Sequence, residues 1–188
     1  MNKLFISFLL VEFTALSACG KAVETLGEKA VEKAIESQME KDGNKSAKVS
    51  IGKDGFKSTV TDASGKTVKT EIGSAIVTEA DVGVPFYPGA SIKDGKGSKM
   101  AGPDGTFVTV NLESKDDLEK VAEYYRGKLK GMAAGRTLND MSQAGESAMF
   151  MLSDEKNKNS VSISLNKNND NAKATDIMIM TSKETKVN

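Results

Sequence analysis

The chain has 188 residues with 26 basic and 26 acidic side chains, so its formal net charge is zero, which argues against nucleic acid as a partner, since a basic face supplies most of that affinity. Histidine is absent and cysteine occurs once. That removes the commonest general acid/base and metal ligand, any intrachain disulfide and any cysteine-cluster zinc site.

Met1-Asn2-Lys3 is a short basic start, Leu4 to Leu16 is mostly apolar, and Leu16-Ser17-Ala18-Cys19 closes the run. A basic start, an apolar stretch and small residues before a cleavage point form a secretory signal. The run is too short to span a bilayer, which takes about 20 residues. Its last four residues resemble the lipobox of bacterial lipoproteins. The resemblance implies a signal peptide over 1–18, cleavage after Ala18, and acylation (palmitate-type chains) of Cys19, the lipidation residue and membrane anchor. A thiolate is the best nucleophile for the thioether. Two or three chains, at roughly 0.8 kcal/mol per buried CH₂, hold a protein where one would not. Glu12 departs from the pattern: a charge in the middle of such a stretch costs about 2.5–3.5 kcal/mol on insertion. Gly20, where an Asp would retain the protein in the inner membrane, points to the outer membrane of the cell envelope, facing the periplasm or the cell surface.

After the anchor, 19–46 is expected to be an amphipathic helical spacer. Val23, Leu26, Ala30, Ala34 and Met39 recur at helical spacing, Val31 and Ile35 widen the stripe, and Gly43-Asn44 end it. Residues 47–80 change period. Val- and Thr-rich runs at 48–51, 56–61 and 67–72, separated by Asp54-Gly55 and Ser64-Gly65, predict a small β-meander. Glu79 to Pro88 reads as a linker into the unit at 81–188. There a hairpin pairs Gly97–Met100 with Thr106–Leu112 around Gly102-Pro103-Asp104-Gly105. Ser114, with Asp117 three residues on, is the expected cap of a helix. Leu118, Val121, Ala122, Tyr125 and Leu129 form its apolar stripe, and Gly131 is its expected stop. Strands at Ser147–Leu152, Ser160–Leu165 and Asp176–Thr181 close the chain, giving ββαβββ. The expected fold class is α+β: an antiparallel sheet with one packed helix, preceded by the amphipathic helix and the separate meander.

Pro85-Phe86-Tyr87-Pro88-Gly89-Ala90 resembles the P-x-YPGA motif of a loose group of uncharacterised bacterial lipoproteins. In that group a Glu/Lys/Ala-rich helix and a short meander precede the motif, and a strand and a capped helix follow it. The likeness spans most of 20–165, implies architecture and address, and carries no activity. Pro88 followed by Gly89 fits a type II turn, with Tyr87 free to tuck against the sheet.

The chemistry-bearing motifs are few. Ser50/Lys53, Ser153/Lys156 and Ser164/Lys167 match Ser-x-x-Lys at a frequency chance supplies, and at strand ends rather than helix starts. Asp54, Asp94 and Asp104 precede glycines as turn residues, with no calcium-loop continuation. Met149 with Met151, and Met178 with Met180, each share a strand face, so neighbouring strands would bring four thioethers together for Cu(I). Core filling is the ordinary use of such methionines. The sequence therefore predicts a non-enzymatic envelope lipoprotein without cofactor, bound to membrane through Cys19 and to an envelope protein through Tyr124 and Arg126. A small-ligand or copper carrier is the alternative. Tyr125 is expected in the core and Tyr124, about 100° round the helix, at its boundary.

Overall fold

The computed structural model describes residues 21–53, 55–143, 145–169, 171 and 173–185, with side chains from position 27 onward. The expected signal, its expected cleavage point at Ala18 and the expected lipidation residue Cys19 lie outside the described residues.

Helix α1 (Lys21–Lys41) is followed by three strands, β1 (Ser46–Gly52), β2 (Gly55–Thr61) and β3 (Thr67–Ala75). Tight turns join them. At the second, the Asp62 carboxylate accepts from Ser64 Oγ at 2.7 Å and Lys66 N at 2.9 Å, an Asx-type closure. Position 55 admits only glycine, because its φ is +103° and a Cβ would lie 2.2 Å from the Ile72 carbonyl oxygen. The segment expected as a linker contains a one-turn helix, α2 (Glu79–Val82), fastened by a reciprocal capping box between Thr78 and Asp81. The Thr78 hydroxyl, with help from Lys99 at 2.9 Å, holds the Asp81 carboxyl down to about 2.

β4 (Ser91–Ile92), β5 (Gly97–Gly102) and β6 (Gly105–Ser114) come next, then α3 (Leu118–Met132). The cap of α3 is Asp117, not Ser114: its carboxylate accepts from Lys120 N at 2.9 Å, whereas Ser114 Oγ is buried at the end of β6 and accepts from Asp116 N. A carboxylate is the stronger acceptor for orphan helix amides, and its charge suits the helix N-terminus. The helix also runs one residue past Gly131. β7 (Thr137–Asp140), β8 (Ser147–Asp154), β9 (Asn159–Lys167) and β10 (Thr175–Glu184) complete the chain.

Among the described residues ten strands join one antiparallel sheet in the order β1-β2-β3-β5-β6-β10-β9-β8-β7, with β4 also on β6. This corrects the α+β expectation of a compact ββαβββ unit beside a separate meander: the sheet dominates and the helices are subordinate to it. The physical reason is that β3 does not end the meander. It continues to Ala75 and pairs with β5, with a register shift between Glu71 and Ala75. Gly97 permits that approach, since a Cβ there would lie 2.5 Å from the Thr109 carbonyl oxygen and 2.7 Å from Val77.

α3 carries the chain across one sheet face from β6 to the far edge, and β7 to β10 return as a meander until β10 closes on β6. Strand alternation then builds the core in rows. Val110, Ile179, Ile163 and Phe150 stand opposite one another, as do Leu112, Ile177, Leu165 and Ala148. Above them lie Leu118, Val121, Ala122, Tyr125 and Leu129 of α3, with Ala75, Val77, Val82, Val84 and Tyr87 filling the β3 side. Each fully buried aliphatic side chain contributes roughly 1.5–3 kcal/mol.

Candidate functional site

The segment 85–90 is pinned to α3 rather than looping freely. Pro88 and Gly89 form the expected turn, with Gly89 at φ +79° and Ala90 N donating to the Tyr87 carbonyl at 3.0 Å. Glu79 accepts from Phe86 N at 2.7 Å, and the Tyr124 hydroxyl donates to the Phe86 carbonyl at 3.1 Å. Tyr87 is buried, and its hydroxyl donates to Asp116 at 2.7 Å. Burial first and the adjacent Asp116 carboxylate second push the Tyr87 phenol up to about 12. Reciprocally, that hydroxyl and then Lys120 Nζ at 2.9 Å hold Asp116 below the usual carboxylate range.

The three tyrosines of the chain meet here. Tyr124 packs edge-on against Tyr87 at 5.1 Å and against Tyr125 at 5.2 Å. Tyr125 is core and Tyr124 is half-buried, the placement their helical phase predicts. Lys128 Nζ lies 5.5 Å above the Tyr124 ring. Burial, then the charge of Glu79, raises the Tyr124 phenol, so it is a neutral donor at physiological pH.

Arg126 points the other way. Its Nε donates to Asp140 at 2.8 Å, and its guanidinium carbon lies 5.5 Å from the centre of the Phe150 ring. The Ser142 hydroxyl also donates to Asp140, and this bond, then Arg126, keep that carboxyl below its ordinary value. Tyr124 and Arg126 thus line one open cleft of about 580 Å³, with Tyr87, Pro88, Lys120, Glu123, Gly127 and Lys130. They do not touch. Gly127 lies between them, and a Cβ on it would meet nothing within 4 Å. Sequence reasoning passed over Tyr87, Lys120 and Gly127 as cleft residues. The signal within reach was a glycine inside an amphipathic helix with no packing reason for it.

The opposite sheet face carries the methionines. Register places Met149 opposite Ser164 and Ser164 opposite Met178, and likewise Met151, Ser162 and Met180. β9 therefore separates the two pairs by two strand spacings, about 9.6 Å, and the neighbouring strands that a converging thioether set required are not neighbours. Val68, Ile72, Met100, Phe107 and Met178 are the exposed apolar residues of this face. No helix among the described residues is long and apolar enough to cross a membrane.

No protein-family model, curated protein or solved structure matches the chain.

Proposed function

We propose that this chain is a non-enzymatic lipoprotein of the bacterial envelope, held to a membrane by lipid on Cys19, which docks a protein partner in the α3 cleft. The lipobox-like Leu16-Ser17-Ala18-Cys19 supports the anchor, and Gly20 favours the outer membrane. The total lack of histidine in the sequence supports a binding role over catalysis.

One observation carries the docking reading: Tyr124 and the Phe150-stacked Arg126 flank the open cleft at Gly127, where no side chain covers the helix, with Lys120, Glu123 and Lys130 along its rim. A glycine inside a helix costs about 1 kcal/mol relative to alanine, and no neighbour here requires it. Tyrosine and arginine are the residues that most often dominate interface energetics. Lys130 offers a cation to a partner carboxylate, Lys120 being held by Asp116 and offset by Glu123 on the same rim, and the tyrosine edges select an apolar or aromatic side chain beside it. Net neutrality of the whole chain speaks against nucleic acid in this place.

The test is crosslinked co-purification from envelope membranes, comparing the unmodified chain with Tyr124→Ala, Arg126→Ala and the double variant, each first shown to unfold cooperatively. The reading predicts a specific partner whose recovery drops at least about tenfold in the double variant, as loss of an interface hot spot does. Equal recovery with all the chains contradicts it.

A further inference from the structure

β1 is the outermost strand on its side of the sheet, yet its outward amides are not left to water. Ile51 N donates to Glu32 Oε1 at 2.6 Å, Val49 N to Glu36 Oε1 at 2.8 Å, and Ala47 N to Glu40 Oε1 at 3.4 Å. The spacing explains the match. Four residues of helix rise about 6.0 Å and two residues of strand about 6.8 Å, so glutamates at every fourth position keep step with every second amide. α1 runs antiparallel to β1 and lies where the next strand of the sheet would lie. Val31, Ile35 and Met39 are half-buried on the helix, and Ala47 and Val49 are buried on the strand.

A carboxylate has no hydrogen to give. The glutamate row serves the N–H half of the edge and offers nothing to the outward carbonyls of Ala47, Val49 and Ile51. Another strand serves both halves, which is why open edges attract other chains and why a covering helix protects them. β1 is also complementary to itself. Antiparallel pairing with a second copy, centred on Val49, sets Ala47 against Ile51 and Lys48 against Ser50 within the strand, and like charges meet only beyond its ends, where Lys45 faces Lys53 and salt screens them. The same alternate residues that now face α1 would then exchange main-chain hydrogen bonds across a twofold axis.

From this geometry we infer that α1 is a displaceable latch over a self-pairing edge: when it lifts, β1 pairs with β1 of a second copy and the two sheets become one. The glutamate row fixes the latch in register over the edge, with short bonds to Ile51 N and Val49 N, and the contact of Val31, Ile35 and Met39 with the strand adds to its hold. The inference is independent of the α3 cleft.

The test is the full chain carrying Glu32→Ala, Glu36→Ala and Glu40→Ala, followed by sedimentation over a range of concentrations and by residue-resolved amide exchange. The unmodified chain is expected to stay monomeric with the amides of Ala47, Val49 and Ile51 protected. The triple variant is expected to dimerise with a dissociation constant lower by about tenfold or more. Those three amides should lose protection in its monomer and regain it in its dimer. The amides of Lys48 and Ser50, which face β2, should stay protected throughout. Adding Val49→Pro, which deletes the central donor of an edge strand, should abolish the dimer. A triple variant that stays monomeric, or a dimer indifferent to Val49→Pro, overturns the inference. If the triple variant fails to unfold cooperatively, Glu36→Ala alone is measured with the same outcomes.

Discussion

Tyr125 separates the contribution of a ring from that of its hydroxyl. The side chain is completely buried, its ring packs edge-on against Tyr124, and its hydroxyl makes no hydrogen bond of ordinary geometry, only a marginal one with the Tyr87 backbone. Burial raises the phenol far above its ordinary value, so it is neutral at every practical pH. Tyr125→Phe removes only this poorly bonded hydroxyl. Leaving such a group buried costs about 1–3 kcal/mol, so the Phe variant should be more stable than the unmodified chain by about 1 kcal/mol. Tyr125→Ala removes a ring that buries roughly 150–250 Å². At about 25 cal/mol per Å² that is about 4–6 kcal/mol, and relief of the hydroxyl brings the expected loss to about 3–4 kcal/mol. Tyr124→Ala forfeits two edge contacts and one hydrogen bond from a half-buried position, about 2 kcal/mol in sum. Urea unfolding at constant m-value reads all three. A Tyr125→Phe chain less stable than the unmodified one by more than about 1 kcal/mol would mean that the hydroxyl makes a full hydrogen bond, and would refute the reasoning that it is poorly bonded.

Three further outcomes follow from the same structure. Cys19→Ser should abolish incorporation of labelled palmitate; because the chain has no second thiol, persistent labelling would sink the anchor. The depressed Asp81 carboxyl contributes stability that is fully present above its ordinary pKa near 4 and is lost as pH falls through about 2. Acid titration should therefore show a loss on the order of 1 kcal/mol after solvent screening, absent in Asp81→Asn. A chain beginning at Val82 should be less stable than one beginning at Ser74 by about 3 kcal/mol, because it lacks the buried Ala75 and Val77; equal midpoints in denaturant would show that these two residues add nothing to the core.

The sequence carried most elements because their periods are unambiguous. β8, β9 and β10 alternate cleanly, and the α3 stripe from Leu118 to Leu129 is buried as its spacing demands. What escaped notice was short, polar or long-range. β7 has Leu138 as its one apolar residue, β4 is two residues long, and α2 is a single turn announced only by Thr78 and Asp81. The union of β3 with β5 is a hydrogen-bonding fact with no local period, which is why the meander read as separate and the fold as α+β. The cleft was half legible. The phase of α3 separates Tyr124 from Tyr125, but nothing local to α3 reveals that Tyr87, 37 residues earlier than Tyr124 in sequence, completes the aromatic wall. Nor does helical spacing in α1 reveal that its glutamates step along β1, since that depends on which edge the helix meets.

The central claim is that the dip over Gly127 is a docking seat, and a photo-crosslinking side chain placed there in the lipid-anchored chain, in its own cells, tests it most directly. A Cβ at 127 clashes with nothing, so the probe itself is tolerated by the fold. The account predicts a discrete adduct from position 127 that disappears with Tyr124→Ala and is absent when the same probe replaces Met178 on the opposite sheet face. Adducts of equal yield from both positions, or none from 127, would contradict it.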